Sequence, residues 1–516
     1  MDRLHGFLRA STERNPEKPL FVKRGVSVTY REVEDRAARL ATLLVDAGVQ
    51  KGDRVAVLFD ADADYMAAFY GALMAGAAAV PLCPDTRTAA LDYSLAHSGA
   101  RAVVMDASNL HWLDGQAKEL PELRAVIVRG TAPEFDLGHI RRIDYAETAT
   151  APRYAGPDAS GEELAAVVYT SGTTGRPKGV MLAHRNIVAN TESIVEYLEL
   201  TSDDVAGMVM PFYYVYGNSV IHTHIAVGGT IAHIGSMAFL GQVVDGLSRF
   251  QCTGFAGVPS TFARLLSYRS FDQHDLSHLR YLTQAGGAMM PKLIDQLRVT
   301  FPKSKVFVMY GQTEASARLS YLPPERLVEK LGSCGKAIPG VTLKICDPEG
   351  HELPRGEMGE VVAQGENVML GYLNDPENTA KALRPEGLRT GDFGRMDEDG
   401  YVFLTGRGSE LIKSGGHRIG PYDIEQALIK TKGVYECAVT GVPDEILGEA
   451  IAAYIIAEPG ATLDKKDLLD HCHAELPHFK MPQYLFVVED LPRSQGNKVL
   501  RNELKKWFAE GKGTRL

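Results

Sequence analysis

The sequence has few cysteines and no long apolar run. Its six cysteines in 516 residues stand far apart, and none shows the C-x-x-C spacing of a metal or redox motif. The first residues contain no apolar signal-peptide core, and apolar stretches such as 74–83 are too short to span a bilayer. We therefore expect a protein of the reducing cytoplasm without a membrane span.

An excess of positive charge is also absent. The chain has 55 Lys+Arg against 65 Asp+Glu, a formal net charge of -10, and neither sign is gathered into a block. Nucleic-acid binding needs a basic face, so we expect no nucleic-acid partner. The length exceeds what one hydrophobic core usually serves, which predicts two or more domains.

Helix-like and strand-like segments alternate through the first part of the chain. An amphipathic pattern predicts a helix over 28–48, and the apolar run RVAVLF predicts a strand directly after it. The alternation continues with helices predicted at 65–75 and 91–98 and strands at 77–82 and 102–105. A second set follows the Pro/Gly-containing stretch 150–161. Such βα repeats favour a parallel sheet covered by helices.

The pattern changes in the last third of the chain. Turn signals in CDPEGHEL, LPRGEMGE and MDEDGYVFL predict short hairpins and a β-rich subdomain at about 331–405. Helices at 422–431 and 463–476 then alternate with strands at 435–442, 450–457 and 484–488. This part is large enough for a separate α+β domain. We predict domains at 1–408 and 409–516.

A glycine-rich loop carries the strongest chemical signal. The segment YTSGTTGRPKG, 169–179, holds three glycines, five hydroxyl side chains and one lysine. Glycine lets backbone N–H groups approach an anion closely, and Lys178 supplies positive charge, which suits a polyphosphate. The spacing is not that of a Walker A loop. A flexible surface loop has the same composition, so this segment alone leaves both interpretations open.

Together with five later segments, this loop resembles the adenylate-forming superfamily of acyl-CoA synthetases, adenylation domains and luciferases. The segments are PFYYVYG (211–217), YGQTE (310–314), RTGD (389–392), GRGSELIKSGGHR (406–418) and PRSQGNKVLR (492–501). The resemblance covers nearly the whole chain. It implies an α/β fold with two βα-type subdomains, a small β-barrel-like subdomain and a mobile α+β C-terminal domain.

The resemblance also implies a site for ATP and Mg²⁺. Thr313 would donate to the α-phosphate, and Glu314 and Thr170 would hold Mg²⁺. Asp392 would accept the ribose hydroxyls, and Arg407 would reach the same sugar. An aromatic side chain of the YGQTE segment can stack on the base. The nucleotide-binding residues that it implies are Thr170, Ser171, Gly172, Thr173, Thr174, Lys178, Gly287, Ala288, Tyr310, Gly311, Gln312, Asp392 and Arg407.

Three catalytic residues are implied: Lys498, Thr313 and Glu314. The family lysine that Lys498 matches bridges the substrate carboxylate and the α-phosphate as pyrophosphate leaves. Ser409, where the family usually has an acidic residue or Lys, marks the hinge about which the C-terminal domain rotates. Gly416 and Arg418 match positions along the path of the thiol acceptor.

The acyl pocket is predicted to contain Tyr214, Asn218, Val258 and Gly286, with Tyr214 standing where many relatives have His. Val215 occupies the position where amino-acid-activating domains carry an Asp for the substrate amine, so an ordinary α-amino acid is disfavoured. The aromatic, apolar and small residues nearby suit an acid with an apolar or aromatic body. For His222 and His224 a structural role is the favoured interpretation.

The predicted function is ATP-dependent activation of a small carboxylic acid to acyl-AMP with release of pyrophosphate, followed by transfer to a thiol, with CoA preferred. Two enzymatic alternatives share the first step: loading of an acyl or peptidyl carrier protein through its phosphopantetheine, and transfer to an amine. A non-catalytic nucleotide-binding sensor or scaffold is the alternative from another class. The sequence leaves the identity of the acid and the oligomeric state open.

Overall fold

The computed structural model describes residues 2–85, 89–157, 159–170, 177–408, 410–415, 417–493 and 499–516, with the side chains of Ala89, Ala90 and Arg418 excepted. The helices of this part are α1 (Leu4–Arg14), α2 (Tyr30–Asp46), α3 (Ala63–Met74), α4 (Ala89–Ser98), α5 (His184–Leu198), α6 (Val215–Val227), α7 (Leu240–Arg249), α8 (Pro259–Leu266), α9 (Pro291–Thr300), α10 (Pro376–Ala382), α11 (Pro421–Ile429), α12 (Lys465–Glu475) and α13 (Arg501–Glu510).

The strands alternate with these helices in the first part of the chain and dominate later. They are β1 (Pro19–Lys23), β2 (Val26–Thr29), β3 (Arg54–Leu58), β4 (Ala78–Pro81), β5 (Ala102–Asp106), β6 (Ala125–Arg129), β7 (Arg141–Asp144), β8 (Leu164–Thr170), β9 (Lys178–Ala183), β10 (Val205–Met208), β11 (Thr230–His233), β12 (Gly254–Gly257), β13 (Tyr281–Gln284), β14 (Lys305–Tyr310), β15 (Ser320–Leu322), β16 (Lys336–Ala337), β17 (Val341–Cys346), β18 (Gly359–Gly365), β19 (Gly371–Tyr372), β20 (Leu383–Arg384), β21 (Gly387–Met396), β22 (Val402–Arg407), β23 (Ile412–Ser414), β24 (His417–Ile419), β25 (Val434–Asp444), β26 (Gly448–Ala457), β27 (Tyr484–Val487) and β28 (Thr514–Arg515).

Two large sheets form the first part of the molecule. One has the order β19-β9-β8-β4-β3-β5-β6-β7, and the other has the order β16-β15-β14-β13-β12-β10-β11-β1-β2. The strands between β8 and β7 and those between β14 and β1 are parallel. The predicted α/β class with parallel sheets is confirmed. One apolar core joins residues of both sheets to α1, α2, α3, α5 and α6.

The first predicted helix begins two residues later than expected. Val28 lies in β2, and α2 starts at Tyr30 because Thr29 caps it: the Thr29 side chain accepts from the Glu32 N–H, and the Glu32 side chain accepts from the Thr29 N–H. This reciprocal capping box satisfies two N–H groups that the first helical turn leaves without partners. Helix α1 and strand β1 precede the region from which the sequence predictions started.

Later strands form two smaller sheets. Strands β17, β18, β21 and β20 are neighbours in one sheet, with β22 paired to β21, and the pairing of Met396 with Val402 closes the hairpin predicted in MDEDGYVFL. The other has the order β24-β23-β26-β27-β28, with β25 paired to β26, and packs on α11 and α12. The helices and strands predicted after residue 421 are confirmed to within about two residues at most ends.

No helix in the described part of the chain is both long and apolar enough to cross a membrane.

Candidate active site

The candidate site lies where several parallel strands end. Strands β12, β13 and β14 are adjacent and parallel, so their carboxyl ends meet at one edge of the sheet. Val258 follows β12, the exposed Gly286, Gly287 and Ala288 follow β13, and Gly311 follows β14. Crevices outside the carboxyl ends of such strands are the usual ligand sites of open α/β sheets. The fold therefore brings together segments that are distant in sequence.

Asp392 is held between two partners at this edge. The hydroxyl of Tyr310, the last residue of β14, donates to Asp392 Oδ2 at 2.7 Å. Arg407 Nε lies 3.0 Å from Asp392 Oδ1, because residues 392 and 407 face each other across β21 and β22. Burial and the neighbouring Asp392 raise the pKa of Tyr310 far above its ordinary value, so it remains a neutral donor. The carboxylate is thereby fixed in position.

Burial opposes the charge of Arg407, but the attraction of the carboxylates of Asp392 and Glu314 outweighs it and raises the arginine pKa. The guanidinium therefore stays charged beside the carboxylate. An oriented anion next to a permanent cation suits a ligand that offers hydroxyl donors to one group and acceptor oxygens to the other. This arrangement is compatible with the ribose role that the resemblance implies for both residues.

Glu314 is tied to the glycine-rich segment through Tyr372. The Tyr372 hydroxyl donates to Glu314 Oε1 at 2.8 Å, and Lys178 Nζ lies 4.9 Å from the centre of the Tyr372 ring. Burial and the adjacent Glu314 raise the pKa of Tyr372 far above its ordinary value. Glu314 itself sits in the short turn Thr313–Ala315. One aromatic side chain thus contacts both a proposed metal ligand and a proposed phosphate ligand.

The sequence predictions missed Tyr372. It lies in the two-residue strand β19, which pairs with β9 so that Tyr372 faces Val180. Residues two apart in a strand share a face, so this register also sets Tyr372 beside Lys178. Two residues are too short for a strand pattern, and the pairing joins positions nearly two hundred residues apart. The position of Tyr372 therefore depends on a long-range strand pairing that no local sequence pattern indicates.

The residues around Glu314 fit a Mg²⁺ ion that is bound mainly by a nucleotide. Across the described ranges no group of three or more His, Cys, Asp or Glu side chains could hold a metal. Mg²⁺ commonly takes one or two protein oxygen ligands and completes its shell with phosphates and water. Glu314 offers an oriented carboxylate of this kind, and Thr170 ends β8 directly opposite Lys178.

Of the glycine-rich segment, the structure describes only the flanks. Thr170 and Lys178 are paired across β8 and β9, whereas the predicted residues Ser171, Gly172, Thr173 and Thr174 lie outside the described residues. In the YGQTE segment, Gln312 Nε2 is buried, and no hydrogen-bond partner is found for it among the described residues. A buried donor without a partner points to a missing acceptor, such as one on a ligand.

Two of the predicted acyl-pocket residues lie side by side. Gly286 has a φ of +84°, a backbone conformation that favours glycine. A Cβ added there would also lie only 3.2 Å from Val258 Cγ1, so a larger residue would crowd Val258. Tyr214 precedes α6, is 38% exposed, and its ring centre lies 4.6 Å from that of Tyr213. An aromatic pair therefore stands at the start of α6, with its second ring open to solvent.

The polar residues further along α6 are engaged inside the protein. The buried Asn218 accepts a hydrogen bond from the Tyr65 hydroxyl at 3.2 Å through its Oδ1, and His222 Nδ1 lies 2.9 Å from the Tyr70 hydroxyl. His224 contacts the carbonyl of Val220 and the hydroxyl of Tyr281. The structural interpretation of both histidines is confirmed, and a role for Asn218 toward the acid stays a prediction.

The predictions for the C-terminal segment fall largely outside the described residues. This holds for Lys498, Ser409 and Gly416 and for the side chain of Arg418, whose backbone lies in β24. Their neighbours are firmly anchored. Arg493 pairs with Glu436 at 2.6 Å, and the partly buried Arg501 pairs with Glu425 and lies 3.3 Å from Glu410.

The C-terminal domain touches the rim of the site. Lys292 Nζ lies 3.0 Å from Glu458 Oε1, and Gln426 Nε2 lies 2.6 Å from Met290 Sδ. Met290 also packs against the apolar core of that domain. Met290 closely follows Gly287 and Ala288 in sequence. The C-terminal domain therefore contacts the segment next to two predicted nucleotide-binding residues.

Comparison with known families matches two parts of the chain. Residues 8–373 match the AMP-binding enzyme family, and residues 423–498 match the AMP-binding enzyme C-terminal domain. The two matches together span most of the sequence, and Asp392 and Arg407 lie in the stretch between them.

Individual proteins are similar over the full length. A 3-[(3aS,4S,7aS)-7a-methyl-1,5-dioxo-octahydro-1H-inden-4-yl]propanoyl:CoA ligase of Rhodococcus jostii strain RHA1 is 33% identical over 93% of this chain and 94% of its own. The anthranilate CoA ligase AuaEII in complex with anthranoyl-AMP has a TM-score of 0.89 at 26% identity, covering 99% of this chain and 98% of the other. ATP-bound MatB of Rhodopseudomonas palustris has a TM-score of 0.86 at 29% identity, covering 98% and 99%.

Proposed function

Because this chain belongs to the AMP-binding enzyme family of AMP-forming acid–thiol ligases, we propose that it activates a small carboxylic acid with ATP and passes the acyl group to CoA. A carboxylate oxygen attacks the α-phosphorus, and the bond to the bridging oxygen of the β-phosphate breaks, releasing pyrophosphate. The CoA sulfur then attacks the acyl carbon, its proton passes to solvent, and AMP leaves with the electron pair of the acyl C–O bond.

The observation that carries this proposal is the gathering of Asp392, Arg407 and Glu314 around the carboxyl end of β14. Asp392 is oriented by the Tyr310 hydroxyl and by Arg407, and Glu314 is oriented by the Tyr372 hydroxyl. We assign Asp392 and Arg407 to the ribose of ATP and Thr313 to the α-phosphate. Groups that are already fixed stabilise the transition state without reorganising during the reaction.

Glu314 and Thr170 are the proposed Mg²⁺ ligands. When bound, Mg²⁺ neutralises phosphate charge and aids departure of pyrophosphate. Lys178 contributes positive charge at the end of the phosphate loop. Lys498 is proposed to bridge the acid and the α-phosphate, and loss of one such donor typically lowers the rate by a factor of about 100 or more.

CoA is the proposed acceptor, since the similar proteins described above include CoA ligases. Gly416 and Arg418 are assigned to its path and Ser409 to the hinge between domains at 1–408 and 409–516, with the β-rich subdomain at about 331–405. A cytoplasmic location is part of the proposal. It is supported by the six cysteines, all free in the described structure.

The test is acid-dependent exchange of labelled pyrophosphate into ATP, with CoA omitted, over a panel of short, long and aromatic acids. We expect exchange with at least one class of acid and its loss in Glu314→Gln, because the amide removes the anionic metal ligand. Glu325→Gln, at an exposed glutamate, is the matched control and retains activity. Exchange that is unchanged in Glu314→Gln would contradict the assignment.

A further inference from the structure

Arg318 is a buried guanidinium for which the described residues provide no carboxylate partner. It is 2% exposed, its Nε donates to the Tyr197 hydroxyl at 3.2 Å, and its Cζ lies 4.9 Å from the centre of the Tyr216 ring. Within the described ranges no Asp or Glu forms an ion pair with it, and no hydrogen bond reaches its terminal nitrogens. Buried charges are normally paired.

Two partly buried arginines of this protein, Arg280 and Arg389, follow that rule. Arg280 pairs with Asp204 at 2.9 Å, and Arg389 pairs with Glu360 at 2.9 Å. Arg318 differs because only one of the five N–H donors of its guanidinium has an acceptor in the described part of the chain. The remaining donors are available to a ligand.

Arg318 borders a cavity between α6 and the second large sheet. Arg318 lines it together with Tyr216 and Ser219 of α6, Gly254 and Ala256 of β12, and Thr283 of β13. Strand β12 leads directly to Val258, and β13 leads to Gly286. At ~3.3 Å per residue, Ala256 and Gly254 lie roughly 7 and 13 Å along the strand before Val258. The cavity therefore lies beside the strands that lead to the proposed acyl-pocket residues.

The backbone that carries Arg318 is held in an unusual conformation. Ser316 and Ala317 have φ values of 56° and 105°, a region that side-chain-bearing residues adopt only at a cost. The Asn367 and Asn190 amides both donate to the Arg318 carbonyl at 2.9 Å. Strained residues fixed by surrounding hydrogen bonds are typical of functional sites, and here they direct an arginine inward.

The same turn is coupled to the nucleotide segment. A Cβ added to Gly311 would lie 2.0 Å from the carbonyl oxygen of Ala317, so these two stretches of backbone are in direct contact. Arg318 thus follows closely on Thr313 and Glu314 in sequence and adjoins Gly311 in space. A group bound by Arg318 would therefore lie near the proposed nucleotide site.

We propose that Arg318 binds a second oxygen-bearing group, a carboxylate or a ketone, at the end of the acid that does not react. This inference rests on the proposed function and narrows its substrate class. Either group offers oxygen acceptors to the unused N–H donors, and a carboxylate also balances the charge. A chain ending in a methyl group would leave the buried cation against hydrocarbon.

The experiment measures pyrophosphate exchange with matched acids of equal chain length that end in a methyl group, a methyl ketone or a carboxylate. We expect kcat/KM to be higher for one of the oxygenated acids than for the methyl-terminated acid, and the two oxygenated arms identify the group. Arg318→Leu lowers kcat/KM for that acid by roughly 10- to 150-fold, the range for loss of a charged hydrogen bond, while the methyl-terminated acid loses less or gains. Arg318→Lys, which keeps a cationic donor, recovers part of the loss.

Arg249→Leu, at a partly exposed arginine paired with Asp245, controls for loss of a surface ion pair and leaves the preference unchanged. Thermal melting with and without ATP checks that each variant folds and binds nucleotide. A wild-type preference for the methyl-terminated acid, or an equal loss on all acids in Arg318→Leu, would overturn the proposal about Arg318 but would not contradict the proposed ligase function. Absence of exchange with every acid would contradict the proposed function as well.

Discussion

Replacing Tyr372 by Phe removes one hydroxyl and tests the link between the phosphate loop and the metal ligand. The ring remains, so its packing and its contact with Lys178, 4.9 Å from the ring centre, are retained. What is lost is the 2.8 Å hydrogen bond to Glu314 Oε1. Glu314 is then free to turn toward solvent, because nothing on Phe can hold its carboxylate.

The size of the effect follows from the type of hydrogen bond. Hydrogen bonds to charged groups contribute about 1.5–3 kcal/mol. Tyr372 is 9% exposed, so water replaces the lost donor poorly at its end of the bond. If the bond serves to hold Glu314 for Mg²⁺, the rate of pyrophosphate exchange at low Mg²⁺ falls by roughly 10- to 150-fold, and raising the Mg²⁺ concentration restores part of it.

The assay is pyrophosphate exchange as a function of Mg²⁺ concentration, with thermal melting as the check on folding. Tyr401→Phe is the matched control, since Tyr401 is also buried and no hydrogen bond of its hydroxyl is found in the described part of the chain. The reasoning is refuted if Tyr372→Phe shows the wild-type Mg²⁺ dependence, or if its activity falls only in step with its melting temperature.

Three further outcomes are expected. Burial lowers the pKa of His222 to about 3 from an ordinary value of 6.5, so the unfolded chain binds more protons between these values and the free energy of unfolding falls as the pH drops through this window. Urea unfolding across that range shows a shallower pH dependence in His222→Gln. Gly311→Ala places a methyl group 2.0 Å from the Ala317 carbonyl oxygen and raises the KM for ATP, whereas Gly241→Ala, in open space, does not. Asp392→Asn raises the KM for ATP by about 10-fold or more, as loss of charged hydrogen bonds requires, with kcat less affected.

Sequence patterns were sufficient for the fold class, and short motifs were sufficient to name candidate site residues. The βα alternation predicted the parallel sheets because helical and strand periodicities are local properties. Asp392, Arg407 and Glu314 were found because each lies in a short motif of a known family. The structure adds the contacts between these motifs, such as the hydroxyl of Tyr310 on Asp392.

The contacts that local sequence patterns could not predict depend on strand pairing and burial. Tyr372 reaches Glu314 only because β19 pairs with β9. Arg318 looks like any charged residue in the sequence, and its missing partner is visible only once the chain is folded. Capping also shifted a boundary: Thr29 and Glu32 begin α2 at Tyr30, although the apolar pattern starts earlier.

The central claim, that this chain is an AMP-forming acid–CoA ligase, is tested most directly by product stoichiometry. The full-length enzyme is incubated with ATP, Mg²⁺, CoA and an acid that supports exchange, and nucleotides, phosphates and thioester are quantified together. The account predicts one AMP and one pyrophosphate for each acyl-CoA formed. Formation of ADP and inorganic phosphate, or consumption of ATP that does not depend on the acid, would contradict it.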